Sequence, residues 1–429
     1  MPTVEKTEAR IVATNNVLVV LSAVPADTLP KDFFGSVLHL DDISAGLADL
    51  SSKTIYLCGD ISRAKSLDLA RAQRVFIIRE LAHGHDERDN LVWPIVDLGQ
   101  VPIRVHGVGV YYRRFFNPEN DYFQRISTEH TFQALRESTK PSKAHRTGIY
   151  LTPVTQNGDE LHFRLLRCST NLAGPSENFR ATDRHIVDGL NHEAAHIFKN
   201  HAPLNHVLAQ IYPNTPASAE QMPTKAKISP HADKTKDMPT NGIMAFCTFY
   251  DRLDKLRPLP QDAFDYGHKG TSGLTRLHFR LKESVAQSAG NGLPAQFTVT
   301  LYPNSVFFMP LSTNRLYTHE IQSSILDAQF LPTRLGYVVR CSSTEAVHAN
   351  DQTFIQKNGS RVPLEPATAE GMHELRRLYA EENRTQDFID YGDKFLFSMN
   401  QGDYLAPVYN ASDEFRVYAL PAAEGQFDA

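Results

Sequence analysis

Short apolar runs separated by turn residues are the feature that most constrains the fold of this chain. They fill the region from about residue 106 to 345, where Pro, Asn and Gly interrupt stretches rich in β-branched and aromatic residues. Such runs are NGIMAFCTFY (241–250), TRLHFRL (275–281), QFTVTLY (296–302), SVFFMP (305–310) and RLGYVVR (334–340). Many short strands with turn signals are typical of antiparallel sandwiches and jelly rolls. The middle of the chain is therefore predicted to be a jelly roll.

Two further regions flank this core, as expected for a chain of 429 residues. In residues 1–105, apolar strands alternate with helix-like stretches such as ISRAKSLDLARAQ (61–73), which predicts a small α/β accessory domain. Residues 106–345 form the predicted jelly-roll domain, with an amphipathic helix near its start (120–138). Residues 346–429 are predicted to be a helical and irregular extension that packs on the core. Its helix begins after a Thr368 N-cap and covers 370–383. The fold class expected is α+β.

The composition of the chain says more about its cellular location than about its function. Hydrophobic residues make up 41% of the chain, no apolar run is long enough to cross a bilayer, and no signal peptide is evident. The four cysteines form no C-x-x-C pair. An intracellular protein, nuclear or cytoplasmic and not secreted, is expected, with no membrane partner. The net charge of −5 provides no overall attraction to nucleic acid. The oligomeric state cannot be read from the sequence.

An H-E-x-x-H motif lies in NHEAAHIFKNH (191–201). On a helix, His192 and His196 share a face and can bind zinc, with Glu193 as the general base of a metallopeptidase. The third ligand of a metzincin is missing, because Lys199 and Ala202 stand where Gly and His would be needed. The apolar positions of this segment instead predict a helix that covers the core. The zinc peptidase is therefore the remote alternative.

A second metal motif, His231-x-Asp233, is weaker as a string but has better surroundings. About one H-x-D is expected by chance in such a chain, and His39-Leu40-Asp41 is another match. After His231 and Asp233, however, several predicted strands lead to His319. Two histidines and one carboxylate are the facial triad that holds non-haem Fe(II).

The strand after His319 carries two arginines that point the same way. In RLGYVVR, alternation along a strand puts Arg334, Gly336, Val338 and Arg340 on one face. Two guanidinium groups on an apolar strand need anionic or polar partners. A dicarboxylate co-substrate would provide such a partner, because guanidinium binds carboxylate in bidentate fashion.

His231, Asp233, His319 and the R-x-x-x-x-x-R of Arg334 and Arg340 together resemble the AlkB-like Fe(II)/2-oxoglutarate-dependent dioxygenases. That family is related to the TET/J-binding methyl-pyrimidine oxygenases. The resemblance covers about residues 106–345, with long insertions around 150–190 and 250–295. It extends to LAQIYPN (208–214), VTLYPNSVFFMP (299–310) and GVYYRRFFNPEN (109–120).

The resemblance implies a role for each matched residue. His231, Asp233 and His319 would ligate Fe(II), and Arg334 would pair with the distal carboxylate of 2-oxoglutarate. Tyr212 would contact the co-substrate, with Gln210 in the position of a family Asn. Arg340 would close the same pocket or orient Asp233. The family often has Asn where this chain has Gly336, so one co-substrate contact is expected to be missing.

The implied activity is hydroxylation of a substrate C–H with O2, as oxidative demethylation or methyl oxidation. A methylated nucleobase in DNA or RNA is the substrate expected from the resemblance. Alternatives are a small metabolite, a protein side chain, or a binding module with a degenerate metal site. Lys225, Lys227, Lys234 and Lys236 flank the metal motif. They either hold an acidic substrate or form a solvated loop.

Overall fold

The computed structural model describes residues 8–12, 15–25, 28–45, 48–84, 92–136, 143–168, 171–216, 223–287, 292–392 and 394–410. These residues form a mixed α/β structure that is rich in strands. The cysteines of this part of the chain, Cys58, Cys168, Cys247 and Cys341, are free thiols. None of its helices is both long enough and apolar enough to span a membrane.

The N-terminal region is a five-stranded parallel sheet. Its strands, in spatial order, are Ser36–His39, Asn16–Val20, Thr54–Asp60, Arg74–His83 and Ile95–Val96. Every residue of Asn16–Val20 is buried, as expected for a parallel strand covered on both faces. The helix Leu40–Ser44 and the 3-10 turn Ile61–Ser66 lie in the connections. The helix-like stretch predicted at 61–73 is thus only this short turn.

The largest sheet has ten strands, and its pairings are antiparallel except for one short parallel pair. In spatial order the strands are Asn171–Leu172, Gln133–Arg136, Lys143–Thr152, His206–Tyr212, Thr333–Arg340, Ile243–Asp251, Ser305–Pro310, Gly109–Tyr112 and Ile103–Val105, with Glu177–Asn178 beside Lys143–Thr152. We call it the major sheet. The strand runs predicted at 241–250, 305–310 and 334–340 are confirmed by it.

A four-stranded antiparallel sheet, the minor sheet, packs against one face of the major sheet. Its strands in spatial order are Ile228–His231, Tyr317–Gln322, Arg276–Leu281 and Gln296–Thr300. The core between the two sheets is apolar and aromatic, with Phe246 and Phe307 from the major sheet and Phe279, Phe297 and Tyr317 from the minor one. The two sheets therefore enclose the space where strands of both can contribute side chains.

Two helices cover the other face of the major sheet. Tyr122–Glu129 and Ala181–Ile197 bury apolar residues against it, as the periodicity of the second helix predicted. The first helix was predicted to continue to residue 138 and does not. It ends where His130 takes an extended conformation and turns into the interior, and the chain continues as the strand Gln133–Arg136.

Smaller elements complete the fold. One sheet has the strands Thr155–Asn157, Glu160–Leu165, Thr344–Ala349, Gln352–Lys357 and Ser360–Pro363, and another has Arg257–Leu259, Asp262–His268 and Thr271–Ser272. Arg10–Ile11 pairs with Phe198–Lys199. Short helices are Glu283–Ala286 and Leu311–Leu316, and further 3-10 turns are Leu98–Gln100, Leu253–Lys255, Ala328–Phe330 and Gln401–Tyr404. The C-terminal helix is Ala369–Arg384, and the side chain of Thr368 accepts a hydrogen bond from the Gly371 amide, which confirms the predicted N-cap.

Candidate metal centre

His231, Asp233 and His319 come together at one end of the minor sheet. His231 ends its strand and pairs in register with His319 on the neighbouring strand, and Asp233 follows two residues later. The ligand atoms of the three side chains all lie within 4.8 Å of one another. His231 Nε2 and Asp233 Oδ1 are 3.8 Å apart. The fold thus brings together three residues that are spread over almost ninety positions of the sequence, from residue 231 to residue 319.

Each imidazole is held in a way that leaves a nitrogen for a ligand. His231 Nδ1 lies 2.9 Å from the carbonyl oxygen of Ser229, which can only accept, so this nitrogen carries the proton and donates it. His231 Nε2 then keeps its lone pair. The His319 ring lies between Phe246 and Phe279, with ring centroids 5.6 Å and 5.7 Å away. Its buried Nδ1 has no hydrogen-bond partner.

Asp233 is fixed through both its side chain and its backbone. Arg340 donates from Nε and Nη2 to Asp233 Oδ2, at 3.0 Å and 2.9 Å. The side-chain amide of Asn314 accepts from the Asp233 amide and donates to its carbonyl oxygen, both at 2.9 Å. With Oδ2 occupied by Arg340, Oδ1 faces His231.

The electrostatics favour the protonation states that a metal requires. Burial, followed by the neighbouring His231, lowers the pKa of His319 to about 3. Burial also lowers the pKa of His231. Burial opposes ionisation of Asp233, but Arg340 and the two histidines outweigh it and hold its pKa well below the ordinary value. At neutral pH the site therefore has two neutral imidazoles and one carboxylate, which are the forms that ligate metals.

This donor set fits a divalent transition metal. Two imidazole nitrogens and one carboxylate oxygen, grouped on one side, leave further coordination positions open, as in non-haem Fe(II) sites. The carboxylate partner of Arg340 resembles the second-shell support common around metal ligands. An unpartnered ring nitrogen in the buried His319 side chain agrees with a ligand that belongs there.

The three residues open into a cavity of about 600 Å³ between the two sheets. Arg334, Gly336, Val338 and Arg340 all line it, as do Tyr212 and Gln210. The intervening residues Leu335, Tyr337 and Val339 are buried in the core on the opposite face of the major sheet. The predicted alternation along this strand is therefore confirmed.

Arg334 is buried without a counter-charge among the residues that the structure describes. Its guanidinium carbon lies 4.3 Å from the centre of the Tyr212 ring, and its Nε is buried with no hydrogen-bond partner. No carboxylate in the described ranges lies within ion-pair distance of it. Burying an unpaired guanidinium is costly, so this side chain is suited to receive an anion from the cavity.

Gly336 makes room for that arginine. A Cβ at residue 336 would lie 2.6 Å from Arg334 Nη1. The guanidinium thus occupies the space into which any other side chain at this position would project. Glycine at 336, a departure from the resemblance, is explained by the course of the Arg334 side chain.

Tyr212 and Gln210 form a hydrogen-bonded pair. The Tyr212 hydroxyl donates to Gln210 Oε1 at 2.5 Å, and both side chains are buried. On the neighbouring strand Gln210 is opposite Gly336 and Tyr212 is opposite Arg334. All the site residues predicted from the sequence thus lie on the cavity wall. Tyr212 and Gln210, however, hydrogen-bond to each other.

The C-terminal helix contributes residues that sequence reasoning missed. Asn383 Oδ1 accepts from the Ala232 amide at 2.6 Å, between the two ligands of the H-x-D motif, and Asn383 lines the cavity. Glu382 Oε1 accepts from the Thr235 amide at 3.1 Å. The only signal in the sequence is polar residues on a buried helix turn, which does not specify what they contact.

The flanking lysines do not behave as one loop. Lys227 is exposed, and Lys225 donates to the carbonyl oxygens of Ser324 and Ile325 at 3.4 Å. Lys234 is buried and donates to the Tyr379 carbonyl oxygen at 3.2 Å. Lys236 is half-buried with its Nζ atom buried, and burial lowers its pKa to about 8. The interpretation of all four as a solvated loop is therefore wrong for Lys234 and Lys236.

The glutamate of the H-E-x-x-H motif has a structural partner outside the cavity. Glu193 is buried and accepts hydrogen bonds from Arg74 Nη1 at 2.8 Å and from the Tyr112 hydroxyl at 2.5 Å. The His192 and His196 rings are 5.2 Å apart, centre to centre. Groups of three or more metal-capable side chains occur at two places in the described ranges, and neither includes His192, Glu193 or His196. Glu193 thus joins the covering helix to the N-terminal sheet.

The second of those places is Glu129, His130 and Asp183. His130 Nδ1 lies 2.9 Å from Glu177 Oε2, and Nε2 lies 2.8 Å from Asp183 Oδ2. Burial opposes protonation of this imidazole, but Asp183 and then Glu177 outweigh it and raise the pKa of His130 to about 9. Both ring nitrogens are donors, so no lone pair remains for a metal.

Comparison with known proteins gives only distant similarities. No protein-family model matches the chain, and no curated protein sequence matches it. A solved structure of OsALKBH1 is 13% identical, with a TM-score of 0.31, over 56% of this chain and 99% of that one. The non-heme alpha ketoglutarate dependent epimerase SnoN, from nogalamycin biosynthesis, is 14% identical, with a TM-score of 0.19, over 39% and 59%. The Fe(II)/(alpha)ketoglutarate-dependent dioxygenase TqaL is 9% identical, with a TM-score of 0.23, over 57% and 78%. With TM-scores this low, none of these similarities assigns a function to this chain.

Proposed function

We propose that the protein is an Fe(II)/2-oxoglutarate-dependent dioxygenase that hydroxylates a substrate C–H, and that the two facing sheets are its double-stranded β-helix. The observation that carries the proposal is the meeting of His231, Asp233 and His319 in one cavity with the unpaired guanidinium of Arg334. A metal triad and a buried anion receptor in one cavity are the two parts that this chemistry needs.

In this proposal His231, Asp233 and His319 hold Fe(II), and Arg334 binds the distal carboxylate of 2-oxoglutarate. With iron, 2-oxoglutarate and O2 bound, the site supplies oxidation of a C–H bond coupled to conversion of 2-oxoglutarate into succinate and CO2. Arg340 orients Asp233 by occupying Oδ2, so that Oδ1 is presented to the metal. Tyr212 and Gln210 line the cavity as a hydrogen-bonded pair, and in this proposal they contact 2-oxoglutarate.

The chain's own residues also shape the reaction space. Phe246, Leu277 and Val338 provide apolar wall on both sheets, next to the metal ligands. Such a wall limits water near the metal and strengthens the charge interactions inside. Asn314 and Asn383 restrain the backbone of residues 232 and 233, which fixes the spacing of two of the three ligands.

For the substrate we propose a methylated nucleobase in DNA or RNA, presented unstacked, since such an enzyme cannot reach a base within a duplex. A small metabolite or a protein side chain is the alternative. Binding of single-stranded oligonucleotides that weakens steeply with salt would support the nucleobase. No binding at low salt would exclude it. The domain layout of 1–105, 106–345 and 346–429 and the intracellular location are retained as predictions.

The experiment that tests the proposal is succinate release from 2-oxoglutarate with Fe(II) and O2. His231→Ala should abolish it, and the matched variant His192→Ala, in the H-E-x-x-H helix, should retain it. Bound metal per chain should fall only in His231→Ala. No turnover and no metal in the wild-type protein would leave a binding module with a degenerate site. Equal loss in both variants would reopen the question of a zinc site on the H-E-x-x-H helix.

A further inference from the structure

A second arginine stands in the same row as Arg334. Thr147 pairs with Ile211 on the neighbouring strand, which places Arg146 beside Tyr212, and Tyr212 pairs with Arg334. The guanidinium carbons of Arg146 and Arg334 lie 5.9 Å and 4.3 Å from the centre of the Tyr212 ring. All three residues line the cavity. The major sheet therefore presents a cation, an aromatic ring and a cation side by side.

Arg146, like Arg334, has no counter-charge among the described residues. Its Nε is buried with no hydrogen-bond partner, and no carboxylate in the described ranges lies within ion-pair distance of it. Arg340 differs, because Asp233 neutralises it. Among the described residues, two of the three arginines that line the cavity therefore have no counter-charge.

The cavity as a whole is biased toward positive charge. Asp233 is the one acid among the described residues that line it, whereas the basic ones are Arg146, Lys225, Lys227, Lys234, Arg334 and Arg340. In the proposed function, one carboxylate of 2-oxoglutarate goes to the metal and the other to Arg334. Asp233 is already paired with Arg340. Neither Asp233 nor the two carboxylates of 2-oxoglutarate is therefore left to neutralise Arg146.

The spacing separates the two free arginines. Adjacent strands lie about 4.8 Å apart, so Cα atoms two strands apart are separated by about 10 Å. Arg146 and Arg334 are two strands apart, with Tyr212 between them. This distance is enough for two separate anionic groups, one on each side of the tyrosine.

We propose that Arg146 binds an anionic group of the substrate, a carboxylate or a phosphate ester, while Arg334 holds the co-substrate. The proposal rests on the proposed function, and it specifies the charge of the substrate. Arg146 is then a specificity-determining residue, and neutral substrates would be poor ones. Fork-like hydrogen bonding to a planar or tetrahedral oxyanion is what guanidinium does best.

The test uses Mn(II) in place of iron and inorganic phosphate as the probe. In protein loaded with Mn(II) and 2-oxoglutarate, the manganese should speed ³¹P relaxation of bound phosphate in a saturable way. Arg146→Gln should weaken this phosphate binding by at least about tenfold and change 2-oxoglutarate affinity by less than about twofold. Arg334→Gln should do the reverse. Arg280→Gln, an exposed arginine on the minor sheet outside this cavity, is the matched control and should change neither.

Two outcomes would overturn the proposal. One is equal phosphate binding by the wild type and Arg146→Gln. The other is a loss of 2-oxoglutarate affinity in Arg146→Gln as large as in Arg334→Gln, which would assign Arg146 to the co-substrate. Displacement of phosphate by acetate or by single-stranded oligothymidylate supports the proposal and identifies the anion's source. If the wild type binds no Mn(II) and no 2-oxoglutarate, the proposed function fails. The ³¹P line width of phosphate titrated with the metal-free wild type and Arg146→Gln then still tests Arg146 alone.

Discussion

In the part of the chain that the structure describes, two groups of histidine and carboxylate side chains have opposite electrostatic characters. At His231, Asp233 and His319, burial dominates and lowers the pKa of His319 to about 3. At His130, two carboxylates dominate and raise the pKa to about 9. The same residue types, at similar distances, thus give neutral imidazoles in one place and an imidazolium in the other.

The difference comes from where each carboxylate is directed. Asp233 Oδ2 accepts from Arg340, and Asp233 Oδ1 lies 3.8 Å from His231 Nε2, too far to accept a hydrogen bond from it. Arg180 Nη2 lies farther from Glu177 Oε2, at 3.9 Å, and both Glu177 and Asp183 accept from a nitrogen of His130. A neutral imidazole can ligate a metal, whereas an imidazolium can only donate hydrogen bonds. Proximity of ligand-type residues alone therefore does not define a metal site.

The largest effect is expected at the metal ligands. His319→Ala should lower Mn(II) or Fe(II) affinity by more than about 100-fold, since even supporting residues around a metal are worth about 10–100-fold. Anaerobic metal titration gives the affinity and the stoichiometry. His130→Gln is the control and should retain one metal per chain. Loss of the metal in His130→Gln, with retention in His319→Ala, would reverse the comparison.

The next effect is structural. His130→Ala removes the imidazolium that Glu177 and Asp183 share and leaves the more distant Arg180, 3.9 Å from Glu177, which should destabilise the protein by about 3–5 kcal/mol. The Tyr337 hydroxyl also donates to Asp183, at 2.8 Å, and it cannot replace a positive charge. Urea unfolding measures the loss. A change below about 1 kcal/mol would mean that the His130 network is not charged.

The same cluster predicts a pH dependence of stability. The pKa of His130 rises from the ordinary 6.5 to about 9 on folding. Its contribution is therefore complete below pH 6.5 and is lost as the pH rises through 9. The difference in unfolding free energy between the wild type and His130→Gln should shrink by about 3 kcal/mol between pH 6 and 9.5. A constant difference across this range would contradict the raised pKa.

A smaller effect on the metal is expected from the C-terminal helix. Asn383→Ala removes the acceptor of the Ala232 amide and should lower Mn(II) affinity by about tenfold, as for other supporting residues. Asn383→Asp keeps an acceptor oxygen at the same place and should restore most of the affinity. If both variants bind Mn(II) like the wild type, the helix does not position the ligands.

The sequence predicted the parts of this site whose pattern is local. Arg334 and Arg340 were found because alternation within one strand puts them on one face, and the covering helix because its apolar residues repeat with helical spacing. His319 was found through its order after His231 and Asp233. Residue Arg146 was missed because it reaches the site only through the pairing of three strands.

The rest could not be predicted because the partners are far apart in sequence. Asn383 contacts Ala232, 151 positions away, and Glu193 contacts Arg74, 119 positions away. Neither pair leaves a periodic signal. The predicted helix at 120–138 failed for a related reason. Its apolar spacing continues past Glu129, but the buried contacts of His130 with Glu177 and Asp183 end it there.

The smallest effect tests the co-substrate side of the site, at Gly336. An added Cβ would lie 2.6 Å from Arg334 Nη1, the far end of a flexible side chain. Gly336→Ala should therefore move the guanidinium with little change in folding stability. Loss of one well-aligned hydrogen bond, worth about 1 kcal/mol, should weaken 2-oxoglutarate binding by about fivefold. Titration of 2-oxoglutarate into the Mn(II)-loaded protein measures it.

Gly336→Asn separates two explanations of the glycine. If this chain merely lacks a co-substrate contact that Asn provides in the enzymes it resembles, Gly336→Asn should tighten 2-oxoglutarate binding. If the glycine instead accommodates the Arg334 side chain, the larger residue displaces the guanidinium and weakens binding at least as much as alanine does. The contact at Nη1 favours weakening. Because the two explanations predict opposite changes in 2-oxoglutarate affinity, this one measurement decides between them. Tighter binding would show that the Arg334 side chain can reach the co-substrate in a different conformation.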